Sequence, residues 1–299
     1  DAGIPLAQLK RIFEVHNVTE GKSPYTVKWY NDVLNLFIRW LESSGKSTLL
    51  SDITEMDVRE YILHIMRQPG VRGPVSSHTV SNRVRAIRAF FAWVARMGYT
   101  NTHILQNLKV PKTVERIVEP LTKDEVERLF SCMNSSTIVG ARNTALLSLM
   151  LDTGIRLSEA AGLECSGVHI EDRYIKVMGK GFKEILVAFG AGCQRALLDY
   201  FYRYRVEPAH QGVDAFFLTI DGYTLTGEAI KSIMDRLSAS SGIPRLHPHL
   251  LRHTYATWFL LNGGDVFLLK QNLGHTTLVM VEHYVHMASR DAAVRSQSF

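Results

Sequence analysis

The stretch from His247 to Met287, HPHLLRHTYATWFLLNGGDVFLLKQNLGHTTLVMVEHYVHM, carries half of the chain's 12 histidines. His249 and Arg252 are three residues apart, so on a helix they project from one side as neighbours. Leu251, Tyr255, Trp258 and Asn262 step round another side at helical spacing, which predicts the buried one. Asn262-Gly263-Gly264 then breaks the helix. A second short helix is expected over Val266–Asn272, ending at Gly274 as its C′ residue. His275 follows directly, and Tyr284 lies nine residues further on, in the next helical segment. Two imidazoles, a guanidinium and a phenol gathered in this way suit the handling of a phosphodiester.

Around that stretch, 299 residues give room for about two domains of ordinary size. A hydrophobic content of 46% with 21% charged residues is that of a globular protein with a substantial core. No apolar run approaches the roughly 18 residues that span a bilayer, and the first residues lack a signal-peptide pattern, so no membrane partner is expected. Cys132, Cys165 and Cys193, odd in number and scattered, point to a reducing, cytoplasmic compartment without a disulfide framework. The net charge of +5 and pI near 9.1 suit a polyanionic partner. Residues 1–112 hold 15 Lys+Arg against 9 Asp+Glu, a net +6, while the remaining 19 basic and 20 acidic residues net −1. The excess charge therefore lies in the first third, as a DNA-clamping module requires.

Residues 1–112 read as an all-helical domain. Ser23-Pro24 opens a helix with Trp29, Val33, Leu36, Phe37, Trp40 and Leu41 at helical spacing, closing near Gly45. Thr54 caps a second helix with acidic residues in its first turn, continuing to about Arg67. Gln68 to Pro74 reads as a Pro/Gly loop. Ser77 begins a long helix whose apolar face is Val80, Val84, Ile87, Phe90, Phe91 and Val94. Arg83, Arg85 and Arg88 lie off that face; they fit a solvated cationic surface or, given the charge of the domain, a phosphate-contacting one.

Residues 113–119 are taken as the linker and 120–299 as a second, mainly helical α+β domain. Thr122 and Glu125 make a capping box for its first helix, near 122–132. Further helices are expected near 138–152, 156–163, 191–205, 226–241 and 248–262. Between them Tyr174–Met178 and Ile185–Phe189, joined by a glycine-rich turn around Lys180, give a β-hairpin.

Several residues here could carry chemistry. Gly154 ends one helix and Arg156 opens the next, near backbone N–H groups that favour an anion; the same spacing also fits an arginine paired with Glu159. Lys180 at the hairpin tip is either a solubilising charge or a mobile cation that reaches a leaving oxygen. His249 and Arg252 on an apolar helix need a partner or an anion, unless backbone carbonyls satisfy them. Tyr255 and, taken alone, Tyr284 read as core tyrosines. His247, His249, His253 and His275 match no standard zinc ligand spacing, so no metal and no cofactor is expected.

In order and spacing, Thr153-Gly-Ile-Arg156-Leu-Ser-Glu159, Gly179-Lys180-Gly181, His249-Leu-Leu-Arg252-His253, Leu273-Gly-His275 and Tyr284 together resemble the tyrosine recombinase family, which includes phage and transposon integrases. The resemblance extends to the basic helical N-terminal part and covers nearly the whole chain. It implies a SAM-like core-binding domain at 1–112 and a catalytic domain at 120–299. It also implies a set of roles. Tyr284 is the nucleophile that forms a 3′-phosphotyrosyl link, Arg156 and Arg252 hold the non-bridging oxygens, and Lys180 is the general acid. His249 assists proton transfer, His275 hydrogen-bonds the phosphate, and Glu159 orients Arg156.

The activity so implied is ATP-independent site-specific DNA recombination through a Holliday junction, as in integration, transposition or resolution by a mobile element or a bacterial chromosome. The implied partners are double-stranded DNA with inverted-repeat core sites, three further copies of the chain in a synaptic homotetramer, and accessory DNA-bending proteins, at the nucleoid. Two other readings share features with it: a type IB topoisomerase, which uses the same covalent chemistry, and a catalytically silent DNA-binding module.

Overall fold

The computed structural model describes residues 3–70, 73–113, 118–179 and 184–274. The chain divides into two compact units, Asp1–Arg116 and Ile117–Phe299.

The first unit is built from α1 (Leu6–Thr19), α2 (Pro24–Ser43), α3 (Glu55–Arg67) and α4 (Ser77–Arg96). Side-chain caps start three of them where the sequence places them. Ser23 accepts from the Thr26 amide, Thr54 and Asp57 form a reciprocal capping box, and Ser76 accepts from the Thr79 amide. The predicted apolar face of α4, Val80 to Val94, is buried against Phe13, Phe37 and Tyr61. Phe13 meets Phe90 edge-on at 5.5 Å and Phe37 meets Phe91 at 6.4 Å, the geometry that ring quadrupoles prefer.

Two features of this unit depart from the sequence reading. Helix α1 precedes the expected first helix and contributes Leu6, Leu9 and Phe13 to the core. The expected loop at 68–74 contains a minimal antiparallel pair, β1 (Pro69–Gly70) with β2 (Gly73–Pro74), in the register Pro69↔Pro74.

The second unit runs α5 (Lys123–Ser131), α6 (Ile138–Thr153), α7 (Leu157–Ala161), β3 (Val168–His169), β4 (Tyr174–Met178), β5 (Glu184–Ala188), α8 (Ala191–Asp199), α9 (Gly227–Ser241), α10 (Pro248–Leu261) and α11 (Val266–Asn272). Helix α6 is apolar round most of its circumference and buries Ala145, Leu146, Leu147, Leu149 and Met150, so it serves as the axis on which α8 and α10 pack. The expected hairpin is part of a three-stranded antiparallel sheet in the order β3-β4-β5. Ile175 and Val177 point to the core while Lys176 and Met178 point out, the alternation of a half-buried strand. The predicted helix over 191–205 is α8 followed by a wider turn, Tyr200–Tyr204, where i→i+5 bonding inserts a residue. Tyr200 anchors that turn: its buried hydroxyl accepts from the Leu218 amide at 3.1 Å.

Candidate active site

Helix α6 ends at Gly154, which adopts the left-handed conformation (φ 64°). Here only glycine serves, because a Cβ would also lie 2.3 Å from Cδ1 of Tyr255. The reversal delivers Arg156 as the N-cap of α7. Its backbone amide donates to Glu159 Oε2 at 2.6 Å and its Nη1 to Glu159 Oε1 at 2.7 Å. The sequence offered an anion-facing arginine and a Glu159-paired arginine as alternatives. The pair is formed, and it fixes the guanidinium rather than removing it, since Nη2 reaches on to the Leu273 carbonyl at 3.1 Å.

Helix α10 begins with an imidazole cap: His247 Nδ1 accepts from the Leu250 amide at 2.9 Å, and Pro248 occupies the first turn. The buried side of α10 comprises Leu250, Leu251, Arg252, Thr254, Tyr255, Ala256 and Thr257. Trp258 is only half-buried and Asn262 is exposed, which corrects the expected stripe: those two sit where α10 runs past the core towards the Gly263-Gly264 break. Tyr255 is buried as expected.

Arg252 is 6% exposed and lies within the fold. It donates from Nη1 to the Gly154 carbonyl at 2.7 Å and from Nη2 to the Leu273 carbonyl. Carbonyls therefore do satisfy it, and the manner matters. The Leu273 oxygen accepts from Arg156 and Arg252 together, so a single backbone atom at the end of α11 draws two guanidiniums to one place. Glu159 supplies one negative charge against their two positive ones. With Glu159 counted, the arginine pair keeps a net positive charge, which favours an anion beside it.

His249 projects beside them. Its pKa is lowered from the ordinary histidine value, first by desolvation and then by the positive fields of His247, Arg252 and Arg156. The residue is exposed at the surface, and the part of it that the fold does cover is enough to oppose the charged form. A neutral imidazole here can accept a proton. Gly274 lies against Arg156 at the end of α11 with φ 58°; a Cβ there would lie 2.8 Å from Ile185 Cδ1 and 3.5 Å from Arg156 Nη1.

Arg156, Glu159, His249 and Arg252 are thus brought together from α7 and α10. Lys180, His275 and Tyr284 lie outside the described residues, although Gly179 and Glu184 flank the first of these and Gly274 immediately precedes the second. Arg83, Arg85 and Arg88 stand on α4 of the other unit, Arg85 exposed and the other two half-buried. The sequence reading missed the Leu273 carbonyl and the capping role of His247. The first is a main-chain atom with no residue signature; the second could have been read from His-Pro at a helix start. Among the described residues no group of acidic, histidine or cysteine side chains is placed to hold a metal ion, and no helix is long and apolar enough to cross a membrane.

The chain matches the phage integrase family over residues 119–290 and the N-terminal SAM-like domain of phage integrases over residues 13–98. It is 31% identical over 290 residues to the tyrosine recombinase XerC of Oceanobacillus iheyensis, covering 95% of this chain and 93% of the relative. It is 27% identical to the tyrosine recombinase XerD of the same organism, with 97% of each chain covered. Its fold is similar to that of the XerH site-specific recombinase bound to its palindromic difH substrate in a post-cleavage complex. That match has a TM-score of 0.75 and 20% identity, and it covers 98% of this chain and 84% of the other.

Proposed function

Because the chain belongs to the phage integrase family and is a tyrosine site-specific recombinase, we propose that it cuts and rejoins duplex DNA at the Arg156–Arg252 pocket through a covalent link to Tyr284. The observation that carries the reading is the convergence of the two guanidiniums on one oxygen atom. A scissile phosphate brought beside that oxygen meets two cations already oriented, and they stabilise the extra charge of the pentacoordinate phosphorus without reorganising. Glu159 holds Arg156 in that orientation.

In the cleavage step the Tyr284 phenol oxygen forms a bond to phosphorus as the bond from phosphorus to the 5′-oxygen breaks. The phenolic proton passes to neutral His249, and Lys180 protonates the departing 5′-oxygen. His275 donates a hydrogen bond to the phosphate. One phosphoester replaces another, so rejoining to a new 5′-hydroxyl needs no ATP. Exchange of one pair of strands gives a Holliday junction and exchange of the second resolves it.

The wider assembly follows from the same reading. Residues 1–112 act as the core-binding domain with Arg83, Arg85 and Arg88 on DNA phosphates, 113–119 as the linker and 120–299 as the catalytic domain. Four copies of the chain join two inverted-repeat core sites, assisted by DNA-bending proteins, in the cytoplasm of a bacterium.

The test is covalent trapping on a library of nicked suicide duplexes with randomised arms. The expected result is an adduct enriched for one inverted-repeat sequence, with Tyr284→Phe abolishing the adduct while DNA binding persists. An adduct that survives in Tyr284→Phe would refute the assignment.

A further inference from the structure

Helix α11 supplies the oxygen on which the arginines converge, and it packs against both α10 and β5. It packs on α10 through a small cluster, Tyr255, Ala256, Leu269 and Leu273, separate from the main core of its unit. Within that cluster Tyr255 makes two contacts that bear on the arginines. Its ring lies directly against Gly154, whose carbonyl accepts from Arg252. Its hydroxyl accepts from Asn272 Nδ2 at 2.9 Å, and the next carbonyl along the chain is that of Leu273. One side chain therefore braces both main-chain oxygens that hold Arg252, one of which also holds Arg156.

We infer that Tyr255 is a positioning residue for strand cleavage: through the ring on Gly154 and the hydroxyl on Asn272 it sets the separation of the two carbonyls that aim the arginine pair at the phosphate. This rests on the reading of Arg156 and Arg252 as the phosphate clamp. Burial raises the Tyr255 pKa, so the phenol stays neutral, and its oxygen accepts from Asn272. The apolar part of this contact would be equally served by phenylalanine. The hydroxyl adds to that packing a side-chain hydrogen bond between α10 and α11, across a sequence separation of 17 residues.

Tyr255→Phe removes the hydroxyl alone, and Asn272→Leu removes its partner while keeping the volume. Both are measured in the full chain by single-turnover cleavage on the nicked duplex that the wild type selects, at saturating DNA. Each variant is expected to cleave about fivefold more slowly, the effect of one neutral hydrogen bond realised at the transition state. The double variant is expected to be no slower than either single one, because the two side chains act as a unit. DNA affinity is expected to stay unchanged.

A second readout separates positioning from a general loss of folded protein. Rates are compared on the oxygen substrate and on stereopure phosphorothioates at the scissile position, where sulfur weakens one guanidinium contact. With the clamp displaced in Tyr255→Phe, the oxygen-to-sulfur rate ratio shrinks. A merely structural defect lowers both rates in proportion and leaves the ratio as it was, and that result overturns the inference. So does a variant that cleaves like the wild type. If the wild-type chain itself forms no adduct, the clamp reading fails first and the role of Tyr255 falls with it.

Discussion

In the second unit the guanidiniums of Arg156 and Arg252 are fastened by two carbonyls and a carboxylate, and Arg252 is almost wholly buried. On α4 of the first unit Arg83, Arg85 and Arg88 form no ion pair with any carboxylate among the described residues, and they lie at or near the surface. The same side chain is thus presented in two ways. A fastened arginine loses its rotamer freedom on folding and has little left to lose when the phosphate arrives, which suits a charge that develops for an instant in a transition state. An unfastened arginine follows a flexible polyanion and releases its counterions, which suits affinity that must not depend on one geometry. The first arrangement buys rate and the second binding.

Removing the fastened kind should divide these two quantities most sharply. Arg252→Ala is expected to slow single-turnover cleavage by roughly a hundredfold to a thousandfold, the scale of losing one preorganised donor, with DNA affinity changed far less. Equal losses in rate and affinity would show that Arg252 serves binding, and the contrast between the units would collapse. Because deletion also leaves the Gly154 and Leu273 carbonyls without that donor, a thermal unfolding scan of the variant belongs with the kinetics.

The unfastened kind should give the converse. Arg85→Ala is expected to reduce the slope of log affinity against log salt by about one, as the loss of one phosphate contact does, and to leave the cleavage rate at saturating DNA unaltered. A titration from low to moderate salt decides it. An unchanged slope would return Arg85 to the status of a solvated surface charge, which its exposure equally fits.

How much of this could be read without coordinates differs between the same two regions. The face of α4 was legible because an apolar stripe at helical spacing leaves its arginines only the other side. Helix α10 and the break after it were legible for a similar reason. Helix α1 escaped because it is capped by Pro5 without a side-chain acceptor, has no acidic first turn, and exposes Ile12, Val15 and Val18, which blurs the stripe of Leu6, Leu9 and Phe13. Strand β3 escaped because two residues acquire strand geometry only by pairing, Val168 with Ile175 and His169 with Tyr174.

Within the site the residue types were legible, but the alternatives set against them were not true alternatives. Arg156 is paired with Glu159 and also reaches the Leu273 carbonyl; Arg252 is satisfied by carbonyls and also converges with Arg156. What the sequence lacks altogether is the shared acceptor. A main-chain oxygen is the same atom at every position, and its place follows from where α11 packs.

The smallest expected effect concerns the group that stands between the two kinds of arginine, exposed at the surface yet partly covered by the fold. His249 titrates below the ordinary histidine value because burial and the neighbouring positive charges oppose its protonated form. If it accepts the Tyr284 proton, the active form is the neutral one, so cleavage falls as pH drops through that lowered pKa, and the acid limb lies below about 6.5, the unperturbed histidine value. A scissile phosphate beside the arginines offsets part of their field and moves the limb upward in the DNA-bound enzyme. The rate at saturating DNA should therefore show the limb at higher pH than the second-order rate measured at low DNA. His249→Gln should flatten both limbs, while Arg85→Ala should move neither, because a charge on the other kind of surface has no part in that proton's transfer. A limb that persists in His249→Gln would assign the titration to another group and leave His249 a bystander of the arginine pair.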